Sequence, residues 1–329
     1  MPDLSVKYMG LDLPNPVIVS SSDLTSGTAG VKKAVEAGAG AVILKSLFEE
    51  DIAASLVNAG SSSISAHPEV DEYIEEMGML LEPDKYLTVI EESVKEFDVP
   101  VIASLNCYSE KWWTEYAGRM EIVGADAIEL NLSPIALKDN ITAADLEKKI
   151  INMVKLARKT VKIPLAIKLG SNFTALPNFA KQLKRAGADS LTLFNRFYNI
   201  DVDIDKIELK SGNSLSVKEE FNQVLRWLGI LSGLSDLDLT ASSGVYSRDE
   251  VVKSILAGAS AAQICSVIYR EGMPVIGKIV NGFSEWMEER NYSSIADFKG
   301  KLSLNRGNRN DFYNRLQYVK ALQGKKKDN

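Results

Sequence analysis

Histidine and cysteine are nearly missing from this chain, with one His and two Cys in 329 residues. Cys107 and Cys265 lie far apart without metal-ligand spacing. That excludes a disulfide framework, makes zinc or another resident metal unexpected, and suits a reducing cytoplasm. The one histidine, His67, precedes a proline in a loop, which leaves little room for histidine acid–base chemistry. No Ser-His-Asp order, HExxH, Walker loop or paired His/Asp cluster is present. An excess of positive charge is lacking as well. Lys and Arg number 38 against 44 Asp and Glu, a formal net charge of -6, so no basic field recruits nucleic acid or an anionic membrane surface. The single basic run, Lys325 to Lys327, reads as a solvated tail. No window approaches the ~18 uninterrupted apolar residues of a membrane span, and "MPDLSVKYMGLDLPNPV" has no basic stretch leading into an apolar one, so neither membrane insertion nor export is expected.

What the chain does have is a rhythm. Short, β-rich apolar runs that end on a polar residue recur as "PVIVSSS", "AVILKS", "VPVIASLN", "AIELNL", "PLAIKLG", "SLTLFN", "LDLTASSG" and "AAQICS". Segments of helical periodicity separate them, several closing on "AGA" or "VGA", where a glycine suits a helix C-terminus and a tight return. Strands apolar on both faces and alternating with helices imply a parallel sheet. Eight such units fit a closed (β/α)8 TIM barrel, an α/β fold, with an open doubly wound sheet as the alternative. No linker divides the chain, so residues 1–329 are expected to form one domain, with a polar helical extension from about 283. Two long insertions, after the second and sixth runs, are expected as loops on the catalytic face. Trp112 and Trp113 fall inside a predicted helix and read as packing residues.

In a barrel, chemistry sits at the C-terminal ends of the strands. The run ends therefore nominate Ser20, Ser21, Ser22, Lys45, Ser46, Asn106, Asn131, Lys168, Asn195, Ser242, Ser243, Gly244, Cys265 and Ser266. Two lysines and three asparagines at five strand ends are more than snorkelling accidents. Asparagine offers donors and acceptors to the edge of a planar heterocycle. A buried lysine suits developing negative charge, such as that on a reduced flavin. Small residues after the last two runs suit a phosphate. Together these point to FMN. A Schiff-base aldolase using Lys168 is also consistent with a strand-end lysine, but it leaves Lys45 and the asparagines without a task.

The ordered motifs "LPNPVIVSSS", "EAGAGAVILKS", "PVIASLN", "GADAIELNLS", "IPLAIKLG", "GADSLTLFN" and "SSGVYSRDEVVKSILAGASAAQICSVIYREG" resemble the dihydroorotate dehydrogenase family of FMN-containing barrels, and more the soluble, typically dimeric class than the membrane-associated one. The resemblance implies that Ser20, Ser21 and Ser22 run their backbone along the flavin and that Lys45 and Ser46 bridge flavin and substrate. It assigns Asn131 and Asn195 to flavin and substrate, Lys168 to the flavin ring, and Ser243, Gly244, Cys265 and Ser266 to the phosphate. The chain also departs from the family. Where the fourth strand should run into Asn-x-Ser-Cys-Pro-Asn, the text reads "NLSPIALKDN", one residue short, leaving Ser133 before Pro134 as the candidate base and Ile135 in place of a pyrimidine-binding Asn. A second such Asn falls on Ser63.

The expectation is an oxidoreductase acting on a CH–CH bond, most simply dihydroorotate to orotate in pyrimidine biosynthesis or a related planar acid, in a homodimer, with fumarate as the acceptor that the soluble class suggests. The alternative is a catalytically silent or regulatory barrel that keeps the scaffold alone.

Overall fold

A computed structural model describes residues 1–58, 82–196 and 199–304. Ser63, His67 and the chain beyond 304 lie outside the described residues. Eight parallel strands close a barrel: β1 (Val17–Val19), β2 (Ala41–Ile43), β3 (Val101–Asn106), β4 (Ala127–Leu132), β5 (Leu165–Leu169), β6 (Ser190–Leu193), β7 (Asp238–Ala241) and β8 (Ala261–Ile264). Each lies beside its neighbour in sequence, and β8 pairs with β1 to complete the circle. The fold is the expected (β/α)8 TIM barrel. Helices α1 (Thr28–Glu36), α2 (Pro83–Glu96), α3 (Glu110–Ile122), α4 (Ala143–Thr160), α5 (Leu176–Ala186), α6 (Phe221–Leu231), α7 (Arg248–Ala257) and α8 (Val275–Glu289) follow the strands in turn.

Local chemistry fixes the helix ends. Thr142 caps α4 and Ser247 caps α7, each in a reciprocal box with the acidic residue three positions on, Asp145 or Glu250. The recurring glycines end helices: Gly187 after α5 and Gly258 after α7 adopt φ of 108° and 111°, which a Cβ would resist.

The period-2 alternation of the strands sorts their side chains into two environments. Ile128, Leu130 and Leu132 of β4 pack outward against the helix layer, with Val17 and Val19 of β1 and Leu165, Ile167 and Leu169 of β5. The intervening residues line the lumen, whose lower part is apolar and includes Ile18, Ala41, Ile43, Ile102, Ala127, Ala166 and Ala261. An N-terminal hairpin, Val6–Tyr8 against Leu11–Leu13, closes this end and inserts Tyr8, whose hydroxyl meets Ser190 Oγ at 3.1 Å. Higher up, the same lumen positions turn polar: Ser20, Ser104, Glu129, Lys168, Thr192 and Gln263 are all buried. The barrel thus carries an apolar plug beneath a polar mouth.

Three expectations change in detail. The insertion after β2, expected as a loop, opens with a helix, Glu49–Asn58. Over 283–289 the polar extension is the second half of α8, because Phe283 and Met287, one turn apart, are both fully buried. The insertion after β6 is more than a loop: Ile200–Asp203 and Glu208–Ser211 pair as an exposed antiparallel hairpin.

Candidate active site at the mouth of the barrel

Two clefts open side by side at the C-terminal ends of the strands and share Asn195 and Arg196. The space between the described residues, counted out into open solvent, is about 540 Å³ in the first and about 1130 Å³ in the second. The first gathers Ser20, Ser21, Lys168, Ser242, Ser243, Gly244, Cys265 and Ser266 from the ends of β1, β5, β7 and β8. Asn106, Asn131 and Ser133 line the second with Phe48, Cys107, Tyr108, Ile135 and Met153. Most residues nominated by the run ends therefore converge.

Lys45, Ser46 and Ser22 line neither cleft. Lys45 Nζ lies 2.5 Å from Asp23 Oδ1. The Ser46 hydroxyl meets Ser104 Oγ at 2.7 Å and Ser21 Oγ at 3.1 Å, and Ser22 Oγ donates to Ser20 O at 3.4 Å. Because Asp23 is 73% exposed, its ion pair with Lys45 is worth only ~0–1 kcal/mol and is easily exchanged for a ligand.

The floor of the first cleft, where Gln263 joins Ser20 and Lys168, belongs to a connected set of buried polar side chains. Lys168 Nζ donates to Ser20 Oγ at 3.1 Å, Gln263 Oε1 at 3.1 Å and Glu129 Oε1 at 3.2 Å. Glu129 Oε2 accepts from Gln263 Nε2 at 2.7 Å and Thr192 Oγ1 at 2.9 Å. All three ammonium hydrogens of Lys168 are thus engaged within the protein. Glu129, Thr192 and Gln263 were not among the nominated residues, although each is a polar letter inside an apolar run on the lumen-facing alternation. Arg196, Ser214 and Ser216 were also missed. Arg196 Nε meets the Glu220 carboxylate at 3.2 and 3.3 Å, so its charge is compensated.

The small-residue turns make a cradle. Ser243 and Gly244 take φ of 78° and 74°. Ser266 Oγ accepts from the N–H and hydroxyl of Ser216, both at 3.0 Å, and Ser216 Oγ accepts from Gly244 N–H at 3.3 Å. Tyr246 donates to Ser216 O. A Cβ on Gly244 would stand 2.5 Å from Phe221 N. Gly244→Ala is therefore expected to cost about 1–3 kcal/mol in chemical denaturation, combining strain with collision; an unchanged midpoint would show that the turn adapts.

One polar atom at the mouth lacks a partner. Among the described residues, Asn131 Oδ1 is buried with no hydrogen-bond donor. Its neighbours in register are Lys168 on β5 and, beyond it, Thr192 on β6. The second cleft also holds groups unsuited to give up a proton: burial, helped by the carboxylates of Glu49, Glu50 and Asp51, raises the Cys107 thiol, and burial with Glu49 and Glu50 pushes Tyr108 up to about 12. Burial likewise raises the Cys265 thiol, against the pull of Ser22 and Lys168.

A family model described as dihydroorotate dehydrogenase matches residues 3–287. The chain belongs to the dihydroorotate dehydrogenase family. Similar proteins include the catalytic subunits of dihydroorotate dehydrogenase B (NAD(+)) of Pyrococcus horikoshii and Methanocaldococcus jannaschii. The first is 28% identical over 318 residues, covering 90% of this chain and 97% of the relative. The second is 27% identical over 300 residues, covering 88% and 94%. An Aeropyrum pernix protein with the provisional name dihydroorotate dehydrogenase A (fumarate) is 27% identical over 307 residues, covering 91% and 97%. Family membership makes this chain a dihydroorotate dehydrogenase-like enzyme.

Proposed function

We propose that the chain binds FMN noncovalently at the mouth of its barrel and oxidises a CH–CH bond of dihydroorotate or a related planar acid. The observation that carries this is the buried, unpartnered Asn131 Oδ1. A buried acceptor without a donor costs about 1–3 kcal/mol, and the imide N–H of a flavin is a donor that would satisfy it. FMN supplies the hydride acceptor. Lys168 places a cation at the same level of the lumen, Asn195 and Asn106 offer amides to ring edges, and the hydroxyls and N–H groups of Ser243, Gly244, Ser216 and Ser266 suit a phosphate. The 3.3 Å bond between Gly244 N–H and Ser216 Oγ is long enough to give way to a phosphate oxygen. Lys45, released from Asp23, would reach between ring and substrate.

Ser133 is proposed as the base. Its Oγ lies 3.4 Å from Asn195 Nδ2, a contact at the long limit that would orient the hydroxyl while a water or Lys45 carries the charge. The substrate need not be dihydroorotate itself, because Ile135 stands where an amide would grip the pyrimidine. The B-type names of the Pyrococcus and Methanocaldococcus relatives favour an electron-accepting partner subunit, and the Aeropyrum name favours fumarate. No described helix is long and apolar enough to cross a membrane; two free cysteines support a cytoplasmic site. A homodimer is part of the same proposal, with the apolar face of the 200–211 hairpin as one candidate contact.

Colour tests the reading. The protein should purify with, or be reconstituted to, flavin absorbance near one FMN per chain. Asn131→Leu, which removes the acceptor and its amide, should weaken FMN about tenfold or more in equilibrium dialysis. Colourless protein that takes up no FMN would favour a silent barrel, a reading to which the mutual bonding of Ser216 and Ser266 in the cradle lends some support.

A further inference from the structure

We infer that Glu129, a residue below the ligand-lining layer, is the counter-charge that positions Lys168 and sets the electrostatic potential felt by the bound flavin. The inference rests on the FMN reading. Glu129 is on the same strand as Asn131, two residues and one lumen layer deeper, and lies opposite Ser104 on β3 and Ala166 on β5. It is fully buried, and its two oxygens receive Lys168, Gln263 and Thr192. Lys168 is in register with Asn131 and lines the first cleft, whereas Glu129 does not and has no exposed surface, so the ammonium is the charge nearer the cleft and the carboxylate the deeper one.

Two consequences follow from that order. First, with its donors directed to Ser20, Glu129 and Gln263, Lys168 acts on a ligand above it as a charge rather than as a hydrogen-bond donor. Second, in a water-poor lumen a unit negative charge directly beneath offsets much of that positive potential. A flavin gains negative charge on reduction, so whatever offsets the cation disfavours the reduced form. Gln263 transmits the arrangement: its amide donates to Glu129 from one end and accepts from Lys168 and Ser20 at the other, which fixes the spacing of the two charges. Glu129 is thus a positioning residue that touches no ligand.

The test is an anaerobic redox titration of FMN-reconstituted protein against a reference dye, which reads the midpoint potential independently of any substrate. Glu129→Gln keeps shape and removes the negative charge. It should favour the reduced flavin by at least tenfold, an upward shift of ~30 mV for a two-electron couple. A potential within threefold of wild type would overturn the inference. The double variant Glu129→Gln with Lys168→Met, which leaves no buried charge in the pair, covers the case in which the single variant does not fold. Because both charges go together, its potential should fall by less than tenfold from wild type. A hundredfold fall would mean that Lys168 was never offset, and the inference fails. Wild-type protein that binds no FMN would overturn the FMN reading, and this inference with it; FMN-loaded wild type with an unresponsive Glu129→Gln overturns this inference alone.

Discussion

Lys168→Met is expected to cost the barrel about 3–5 kcal/mol, a large part of the 5–15 kcal/mol by which a domain of this kind is stable. The reason is what remains behind. Glu129 has no exposed surface, and its Oε1 loses its one cation among the described residues while Oε2 keeps Gln263 and Thr192. An uncompensated carboxylate in the lumen is far more costly than the pair was favourable, because the attraction of the pair roughly repaid its own desolvation. Gln263 Oε1 and Ser20 Oγ lose a donor as well. The effect should appear as a lowered denaturation midpoint in the absence of any flavin. Adding Glu129→Gln to the same chain should recover most of it, since the buried charge is then gone. If Lys168→Met alone unfolded at the wild-type midpoint, water or a local rearrangement would be solvating Glu129, and the network would not be the closed one described above.

That network also marks the boundary of what the sequence makes legible. The barrel could be read because its eight strands are apolar on both faces and each ends on a polar residue. That pattern is local, and the period-2 alternation carries it directly into the fold. The mouth could be read for the same reason: Asn131, Lys168 and Asn195 end their runs, and strand ends are where a barrel places its ligands. Glu129 and Gln263 start one residue pair earlier, inside "AIELNL" and "AAQICS", where a polar letter looks like an irregularity in an apolar run, although Gln263 reaches the floor of the first cleft. Their partner relation spans 134 positions, so no local pattern announces it. The signal was nevertheless present, since Glu129 precedes Asn131 by two and Gln263 precedes Cys265 by two, which places each on the face that leads to the mouth. The N-terminal hairpin was illegible for another reason. Its strands are three residues long, and Tyr8 is fixed by Ser190 on the far side of the barrel. The position of Lys45 could not be read at all, because its partner Asp23 belongs to the preceding turn, and only the folded loop brings the two together.

Ser133→Ala is expected to slow dihydroorotate-dependent bleaching of the bound flavin by at least ~100-fold, the usual scale for losing a general base. On the FMN reading proposed above, the base stands in the cleft that Asn131 and Asn195 share, and the candidates among the described residues there are few. Cys107 lines the same cleft, but burial and the three carboxylates of Glu49, Glu50 and Asp51 raise its thiol, so the thiolate that would take a proton is scarce near neutral pH. Tyr108, pushed up to about 12 by burial and the carboxylates of Glu49 and Glu50, is a donor under those conditions. Lys149 also borders the cleft, on α4, but it is exposed, and an ammonium in contact with solvent carries its proton near neutral pH. Ser133 is the remaining hydroxyl among the described residues that line the cleft, with the Asn195 amide 3.4 Å away. A neutral serine is a weak base, so the wild-type rate itself should be modest and should rise with pH as the relay that carries its proton empties. Anaerobic stopped-flow mixing of FMN-loaded protein with dihydroorotate measures both quantities. Rapid bleaching that survived Ser133→Ala would transfer the role to a solvent molecule held by Asn195 or to Lys45. Absence of bleaching at saturating dihydroorotate, in protein that holds its flavin, would instead assign the catalytic wall to another planar acid, one whose body meets Ile135 as an apolar surface where dihydroorotate would seek an amide.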